Sequence, residues 1–157
     1  MIQRIQSLYW LGAAICLTFL NFGVSVLNFN AKDFHYEFSL FGWKKMDATN
    51  KIIGENDMHF YLLTVVLFAF IIQAIFSYKS IKRQLKLANL IIYLHALVIL
   101  FLVSVFAFGK KIFGLEYDAT EVSLGFYALF ISLIFSFLAT QGVKKDKKLL
   151  DSVDRIR

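Results

Sequence analysis

Four long apolar runs divide the chain, and polar segments separate them. None of these runs contains Asp, Glu, Lys or Arg, and they cover residues 9–27, 60–78, 87–108 and 122–140. An α-helix rises about 1.5 Å per residue, so each run is long enough to cross a hydrocarbon core about 30 Å thick. The pattern therefore predicts four transmembrane helices.

The segment after the first run alternates between apolar and polar residues. Its apolar positions are Phe34, Tyr36, Phe38 and Leu40, and its polar positions are His35, Glu37 and Ser39. This period of two predicts a strand. Gly42 could begin a turn, and Ala48–Ile53 could supply a returning strand. Because an isolated hairpin is only marginally stable, it must pack on the helices, on the second outer loop or on a partner.

Composition agrees with an apolar helical protein. Hydrophobic residues make up 59% of the chain, which has no proline to interrupt a helix. We therefore expect an all-α membrane protein, a four-transmembrane-helix bundle with a small β-hairpin-like element in its first external loop. Residues 1–157 would form a single integral membrane domain with external loops 28–59 and 109–121, a cytoplasmic loop 79–86 and a cytoplasmic tail 141–157.

The segment KSIKRQLK between the second and third runs predicts the orientation of the chain. It carries four basic residues and no acidic one: Lys79, Lys82, Arg83 and Lys86. Short basic loops lie on the cytoplasmic side of a membrane. This orientation places both termini in the cytoplasm of a multi-pass protein. The same residues and the basic tail are expected to contact anionic lipid. The positive charge is juxtamembrane, so we do not expect nucleic acid as a partner.

His95 is an ionisable residue inside the third apolar run. It could contact a quinone or ligate a haem iron, or it could hydrogen-bond a neighbouring helix as a neutral imidazole, with Asn21 and Gln73 as possible partners. A bis-histidine haem needs a second histidine at similar depth, and His35 and His59 lie in the outer segment. We favour the hydrogen bond and predict no cofactor.

Enzyme motifs are missing from the sequence. The histidines and the single cysteine, Cys16, have no metal-ligand spacing such as CxxC or HxxxH. There is also no nucleophile–base signature and no glycine-rich phosphate loop. We therefore predict neither a catalytic nor a metal site.

The fourth run carries small, weakly polar residues at every fourth position: Ala128, Ser132, Ser136 and Thr140. Such a seam lets helix backbones approach closely and offers hydroxyls for hydrogen bonds between helices. It could pack inside the protein or dock on another subunit, and we favour internal packing.

Short motifs at the two ends and in the basic segment resemble a known family. They are Met1–Tyr9 (MIQRIQSLY), Lys82–Leu87 (KRQLKL), Lys144–Asp146 and Asp151–Arg157. Together they resemble a Bacteroidota membrane family catalogued as domain of unknown function 4293. The resemblance implies a four-helix protein of the inner membrane of a diderm bacterium, and it implies no activity.

These observations favour a non-enzymatic accessory or scaffold subunit of an inner-membrane assembly, with a membrane-protein partner or a second copy of the chain. The alternative is an anchor subunit of a membrane oxidoreductase that contacts quinone or haem near His95. A third class, a lipid or small-molecule carrier, is supported by no specific residue.

Overall fold

The computed structural model describes residues 5–114 and 116–154, without the side chains of residues 112, 153 and 154. The described helices are α1 (Ile5–Asn21), α2 (Tyr61–Phe76), α3 (Ile81–Phe113) and α4 (Leu124–Asp154). The described strands are β1 (Leu27–Asn30), β2 (Phe34–Ser39), β3 (Gly42–Asp47), β4 (Ile52–Asp57) and β5 (Ala119–Val122).

The five strands form one antiparallel sheet in the order β4-β3-β2-β1-β5. Strands β1 to β4 lie between α1 and α2, and β5 lies between α3 and α4, so the two segments predicted to be external meet in one sheet. Alternate side chains of β1 and β2 are buried: Leu27, Phe29, Tyr36 and Phe38. Phe38 contacts Phe60 and Phe113 at the ends of α2 and α3, so this apolar face lies against the helices.

The prediction of an all-α bundle with four transmembrane helices is wrong. Among the described residues, α3 and α4 alone are long and apolar enough to cross a membrane by length and composition. α1 and α2 are apolar helices of 17 and 16 residues. The predicted C-terminal end of the first helix, residue 27, is too late, because α1 ends at Asn21. Val26 and Leu27 are buried in the region of the sheet.

The predicted hairpin is part of this larger sheet. Strand β2 coincides with the alternating segment, but the returning strand is β3, which begins at Gly42, and not Ala48–Ile53. Residues 48–51 form the next turn, and β4 begins at Ile52. The chain reverses early because Gly42 adopts a φ of +137°, a conformation that glycine tolerates.

Two segments predicted to be a loop and a tail are helical. Lys82, Arg83 and Lys86 lie in the first two turns of α3, and α2 is joined to α3 only through residues 77–80. Residues 141–154 continue α4 without a break. The sequence has no proline to stop either helix, and Lys is a good helix former.

The helices pack around a core that runs along their length. Large side chains that are fully buried come from every helix, including Trp10, Leu17, Leu67, Ile91 and Leu129. The outward faces are also apolar, with exposed side chains such as Leu8, Val66, Leu100, Ile134 and Phe137. The helical layer is therefore apolar on its inside and on its outside.

Candidate functional site

His95 lies at the centre of the helix packing and joins three helices. Its side chain is fully buried. Nδ1 lies 3.0 Å from the carbonyl oxygen of Ile91 on the same helix, and Nε2 lies 3.0 Å from Ser132 Oγ on α4. The Ser132 hydroxyl is also 3.1 Å from the carbonyl oxygen of Ala13 on α1. The hydroxyl of Ser132 on α4 thus lies within hydrogen-bond distance of one group on α3 and one on α1.

The hydrogen-bond chemistry of this cluster leaves neither ring nitrogen of His95 free. The Ile91 carbonyl can only accept, so Nδ1 must carry the proton that it receives. In a neutral imidazole Nε2 then accepts from the Ser132 hydroxyl, which cannot donate to Ala13 at the same time. A haem iron needs an unoccupied ring nitrogen, and this arrangement offers none.

The possible partners named for His95 from the sequence, Asn21 and Gln73, do not form the hydrogen bonds of the described imidazole. Asn21 Oδ1 instead accepts a hydrogen bond of 3.0 Å from Thr64 Oγ1, which links α1 to α2, and Asn21 Nδ2 donates to Leu17 O. Gln73 is exposed, and its backbone carbonyl accepts from Ser77 Oγ at 2.7 Å. The structure therefore links His95 to the seam on α4 rather than to these two amides.

The small-residue seam lies inside the fold. Ser132 and Ser136 are fully buried, Thr140 is 3% exposed, and Ala128 is half-buried. Thr140 Oγ1 donates to Ser136 O within α4, whereas the Ser136 hydroxyl has no partner among the described residues. On the facing helix, a Cβ added at Gly12 would lie 3.1 Å from the Phe135 ring. Small residues on both helices thus permit a close contact between α1 and α4.

A second polar cluster lies where the beginning of α1 meets the far part of α4. Gln6 is 4% exposed, and its Nε2 donates to Asp146 Oδ2. Its Oε1 has no hydrogen-bond partner within residues 5–114 and 116–154. A Cβ added at Gly142 would lie 2.6 Å from Gln6 Cγ, so the glycine lets Gln6 approach the backbone of α4.

This cluster forms part of the wall of a groove of about 690 Å³. The groove lies between the two helices and is lined by Ile5, Gln6, Tyr9, Leu138, Gln141, Gly142, Lys145, Asp146 and Leu149. Sequence reasoning missed it, because the first apolar run was taken to begin at residue 9 and residues 141–157 were taken as a tail. The available signal was a polar Gln6 preceding that run and a glycine within the predicted tail.

The sheet end of the molecule carries a cluster of charged side chains. A cavity of about 420 Å³ is lined by residues that include Lys32, Asp33, Lys110, Glu116 and Asp118. Both signs of charge meet there. Among the described residues, no three His, Cys, Asp or Glu side chains are grouped so that they could hold a metal ion. His35 lies in β2, and the ring of His59 packs edge-on against Tyr61.

Asp47 closes the turn between β3 and β4. Its Oδ1 accepts from the Thr49 hydroxyl at 2.6 Å and from the backbone N–H groups of Thr49 and Lys51 at 2.8 and 3.0 Å. These bonds, the one from the Thr49 side chain above all, hold the pKa of the Asp47 carboxyl below its ordinary value. The carboxylate organises the turn locally.

Comparison with known proteins identifies the family of the chain and no activity. No curated protein matches the sequence. The family described as "Domain of unknown function (DUF4293)" matches residues 2–156, which confirms the resemblance carried by the terminal and basic motifs. Because the match covers nearly the whole sequence, the chain belongs to the DUF4293 family.

Proposed function

We propose that the protein is an integral, multi-pass protein of the bacterial inner membrane with both termini in the cytoplasm. The outward apolar faces of its helices support this, since soluble proteins rarely expose contiguous apolar patches of this kind. The most apolar windows of α3 and α4 are only 28% and 33% buried, unlike the core helices of a soluble protein. Lys79, Lys82, Arg83 and Lys86 then meet anionic lipid at the cytoplasmic surface, as do the lysines of the tail.

Within that membrane we propose a non-enzymatic role as an accessory or scaffold subunit. The observation that carries this proposal is the edge strand β4 of the sheet. It is paired on one side only, with β3, and all of its residues are exposed except Gly54, which is half-buried. Ile52 and Ile53 are 47% and 60% exposed. An edge with exposed apolar side chains is a surface on which a partner can add a strand.

The β4 edge favours a different protein over a second copy of the chain. The pairing of β3 with β4 shifts register between Lys45 and Met46, and such a β-bulge discourages open-ended pairing between identical edges. The strand also carries Glu55 and Asp57, which would repel each other across a contact between two copies. We therefore propose an external segment of another membrane protein, with apolar and basic side chains, as the partner.

The geometry gives less support to an oxidoreductase anchor. A quinone or haem site near His95 would need access to the imidazole, and that ring is fully buried with both nitrogens engaged. The hydrogen bond between His95 and Ser132 satisfies the buried imidazole and joins α3 to α4, which is a role in helix packing.

The proposal is tested by isolating the full-length protein from its native membrane in mild detergent and identifying what co-purifies. A double variant, Ile52→Lys with Ile53→Lys, adds charge to the β4 edge. A matched control, Val122→Lys, adds charge to the opposite edge strand, where Val122 is 39% exposed. We expect one stoichiometric membrane protein with the wild type and with the control, and its loss from the double variant.

Two results would overturn the scaffold role. One is a wild-type protein that elutes with no other protein. The other is a partner that remains bound at the same stoichiometry when both isoleucines of β4 are replaced. Respiratory subunits among the partners, together with bound haem or quinone, would revive the oxidoreductase alternative instead.

A further inference from the structure

We propose that the groove between α3 and α4 binds one phosphatidylglycerol molecule by its phosphate, which is held by Lys144, Asn89 and Tyr93. The groove has a volume of about 200 Å³ and is lined by Asn89, Ile92, Tyr93, Phe137, Thr140 and Lys144. This inference rests on the membrane location proposed above. It adds one defined site to the general attraction between the basic segments and anionic lipid.

Three polar side chains of the groove are accessible to an occupant. Lys144 and Asn89 are exposed, and Tyr93 is 73% exposed. None of these three side chains forms a hydrogen bond or an ion pair with another described residue. Thr140 differs from them, because it is buried and its hydroxyl donates to Ser136 O at 2.8 Å. The groove therefore offers one ammonium, one amide and one phenol hydroxyl, all of which can donate to a phosphate oxygen.

The opposite directions of the two helices bring these groups to the same depth. Side chains of an α-helix lean toward its N-terminus. In the proposed orientation α3 begins at the cytoplasmic surface and α4 ends there, so Asn89 and Tyr93 lean toward the cytoplasm while Lys144 leans back toward the membrane. Tyr93 is four residues, or about 6 Å, deeper than Asn89 along α3. This is the level at which tyrosine and the headgroups of lipids meet.

The charge around the groove favours an anionic headgroup over a zwitterionic one. Lys144 is the charged residue of the lining, and the other lining residues are neutral. Lys86, one turn before Asn89, and Lys148, one turn after Lys144, are exposed at the cytoplasmic end of the same faces. The first acidic residue on this face of α4 is Asp151, which is about 10 Å beyond Lys144 along the helix. The ammonium of phosphatidylethanolamine would thus meet bases, whereas the glycerol of phosphatidylglycerol is neutral.

The apolar surface next to the groove suits the acyl chains. The groove itself is small, so we place only the phosphate and the adjoining glycerol groups in it. One to two turns farther into the membrane, the outward residues Leu97 and Leu100 of α3 are 50% and 71% exposed, and Ile134 of α4 is 55% exposed. A chain that leaves the groove past Phe137 would cover these side chains.

The experiment measures lipid binding to the full-length protein by native mass spectrometry in detergent. The probes are phosphatidylglycerol, phosphatidylethanolamine and phosphatidylcholine with identical acyl chains. We expect one phosphatidylglycerol to bind about tenfold more tightly than either zwitterionic lipid. Glycerophosphoglycerol, which has the same headgroup without acyl chains, should not displace it at equal concentration. Displacement at equal concentration would assign the groove to a soluble phosphate and would overturn the proposal.

Lys144→Gln tests the phosphate contact and has a matched control in the neighbouring residue. This exposed substitution should abolish the preference for phosphatidylglycerol. Lys145→Gln makes the same change of charge at another exposed position, but Lys145 lines the groove between α1 and α4. It should retain the preference. An equal loss of affinity in both variants would show a diffuse attraction to the basic tail and would overturn a defined site.

Tyr93→Phe tests the second helix of the site with the loss of a single hydroxyl. It should weaken phosphatidylglycerol severalfold, because a hydrogen bond to a charged phosphate is lost. Tyr127→Phe is the control, since Tyr127 is 55% exposed on α4 and does not line this groove. Both tyrosines are exposed at their hydroxyl-bearing side chains, so neither change disturbs the core. An unchanged affinity in Tyr93→Phe would remove α3 from the site and contradict the proposal.

Equal affinity of the wild-type protein for phosphatidylglycerol and phosphatidylethanolamine would also overturn the proposal. It would leave the membrane location standing, because a membrane protein without headgroup preference still binds lipid. The groove and the β4 edge lie on different elements, so the two proposals fail separately. Loss of the lipid site would leave the scaffold role intact, and loss of the protein partner would leave the lipid affinities unchanged.

Discussion

Ser132 Oγ lies 3.0 Å from His95 Nε2, so a serine of the predicted seam is the partner of the buried histidine. The two residues come from different apolar runs of the sequence, and each was notable there for a different reason. Their contact turns two separate sequence features into one structural unit. It also explains why a polar residue can lie among apolar side chains without a ligand, since both ring nitrogens have partners.

The first prediction concerns how much the contact between His95 and Ser132 contributes to the free energy of unfolding. We expect Ser132→Ala to lower the free energy of unfolding by about 1–3 kcal/mol, because it leaves His95 Nε2 buried without its partner. Thermal unfolding of the detergent-solubilised protein measures the change. Ser104→Ala is the control, since the Ser104 hydroxyl donates only to Phe101 O of its own helix at 2.7 Å. It should be close to neutral.

A double-mutant cycle with Ser132→Ala and His95→Leu isolates the contact itself. Hydrogen bonds between membrane helices couple by about 0.6 kcal/mol on average. A coupling free energy of that order would assign His95 a packing role. Strict additivity of the two substitutions would show that the contact contributes nothing to stability.

The second prediction concerns Gly42 at the start of β3. We expect Gly42→Ala to destabilise the sheet by at least about 1–3 kcal/mol, because a non-glycine residue is strained at a φ of +137°. An added Cβ would also lie 2.0 Å from the Asn56 carbonyl oxygen of β4. Gly54→Ala is the matched control on the next strand, where the nearest atom would be 3.9 Å away. Unfolding in denaturant, followed by Trp43 fluorescence, compares the two variants; equal stability would refute the strain argument.

The sequence located the helices far better than the sheet. Apolar runs identify α2, α3 and α4 because a helix of this kind is apolar over most of its length. The same property made the predicted first helix extend too far beyond the end of α1. The apolar run continues through a turn at Gly23 into the buried residues Val26 and Leu27. A run of apolar residues does not show where a helix ends and a buried strand begins.

Besides β1, three strands were not predicted, because their side chains do not alternate in polarity. β3 reads GWKKMD, β4 reads IIGEND and β5 reads ATEV. These strands form the outer part of the sheet, where side chains are incompletely buried and the alternation of apolar and polar residues is weak. β5 also pairs with β1 from a distant part of the chain, and no local signal reports such a partner. The site at Gln6 was missed for the same reason, because Gly142 and Asp146 approach it only in the folded protein.

The third prediction is a local dependence on pH. The pKa of Asp47 is lowered in the folded state, so the turn is stabilised above the ordinary value of 3.8, and this contribution is lost as the pH falls through the lowered pKa. The amide signals of Thr49 and Lys51 in NMR spectra should therefore shift together with a midpoint below 3.8. Asp47→Asn keeps an oxygen acceptor but cannot ionise, so the shared transition should disappear. A midpoint above that value would contradict the structure of the turn.

The last prediction tests the orientation of the chain across the membrane. Cys16 is the single cysteine, so Cys16→Ala provides a cysteine-free background. Into it we would place either Ala48→Cys, in the exposed turn between β3 and β4, or Ser80→Cys, in the exposed connection between α2 and α3. With spheroplasts and a membrane-impermeant maleimide, we expect Ala48→Cys to be labelled at once and Ser80→Cys only after the membrane is opened.

The background protein without cysteine controls for non-specific labelling. The reverse pattern would place the sheet in the cytoplasm and would remove the external partner proposed for β4. Labelling of both positions in sealed spheroplasts would show that the turn between β3 and β4 and the start of α3 lie on the same side of the membrane, contrary to the orientation that the basic residues predict. The outcome therefore decides whether the basic start of α3 and the sheet face opposite compartments, as the charge pattern predicts.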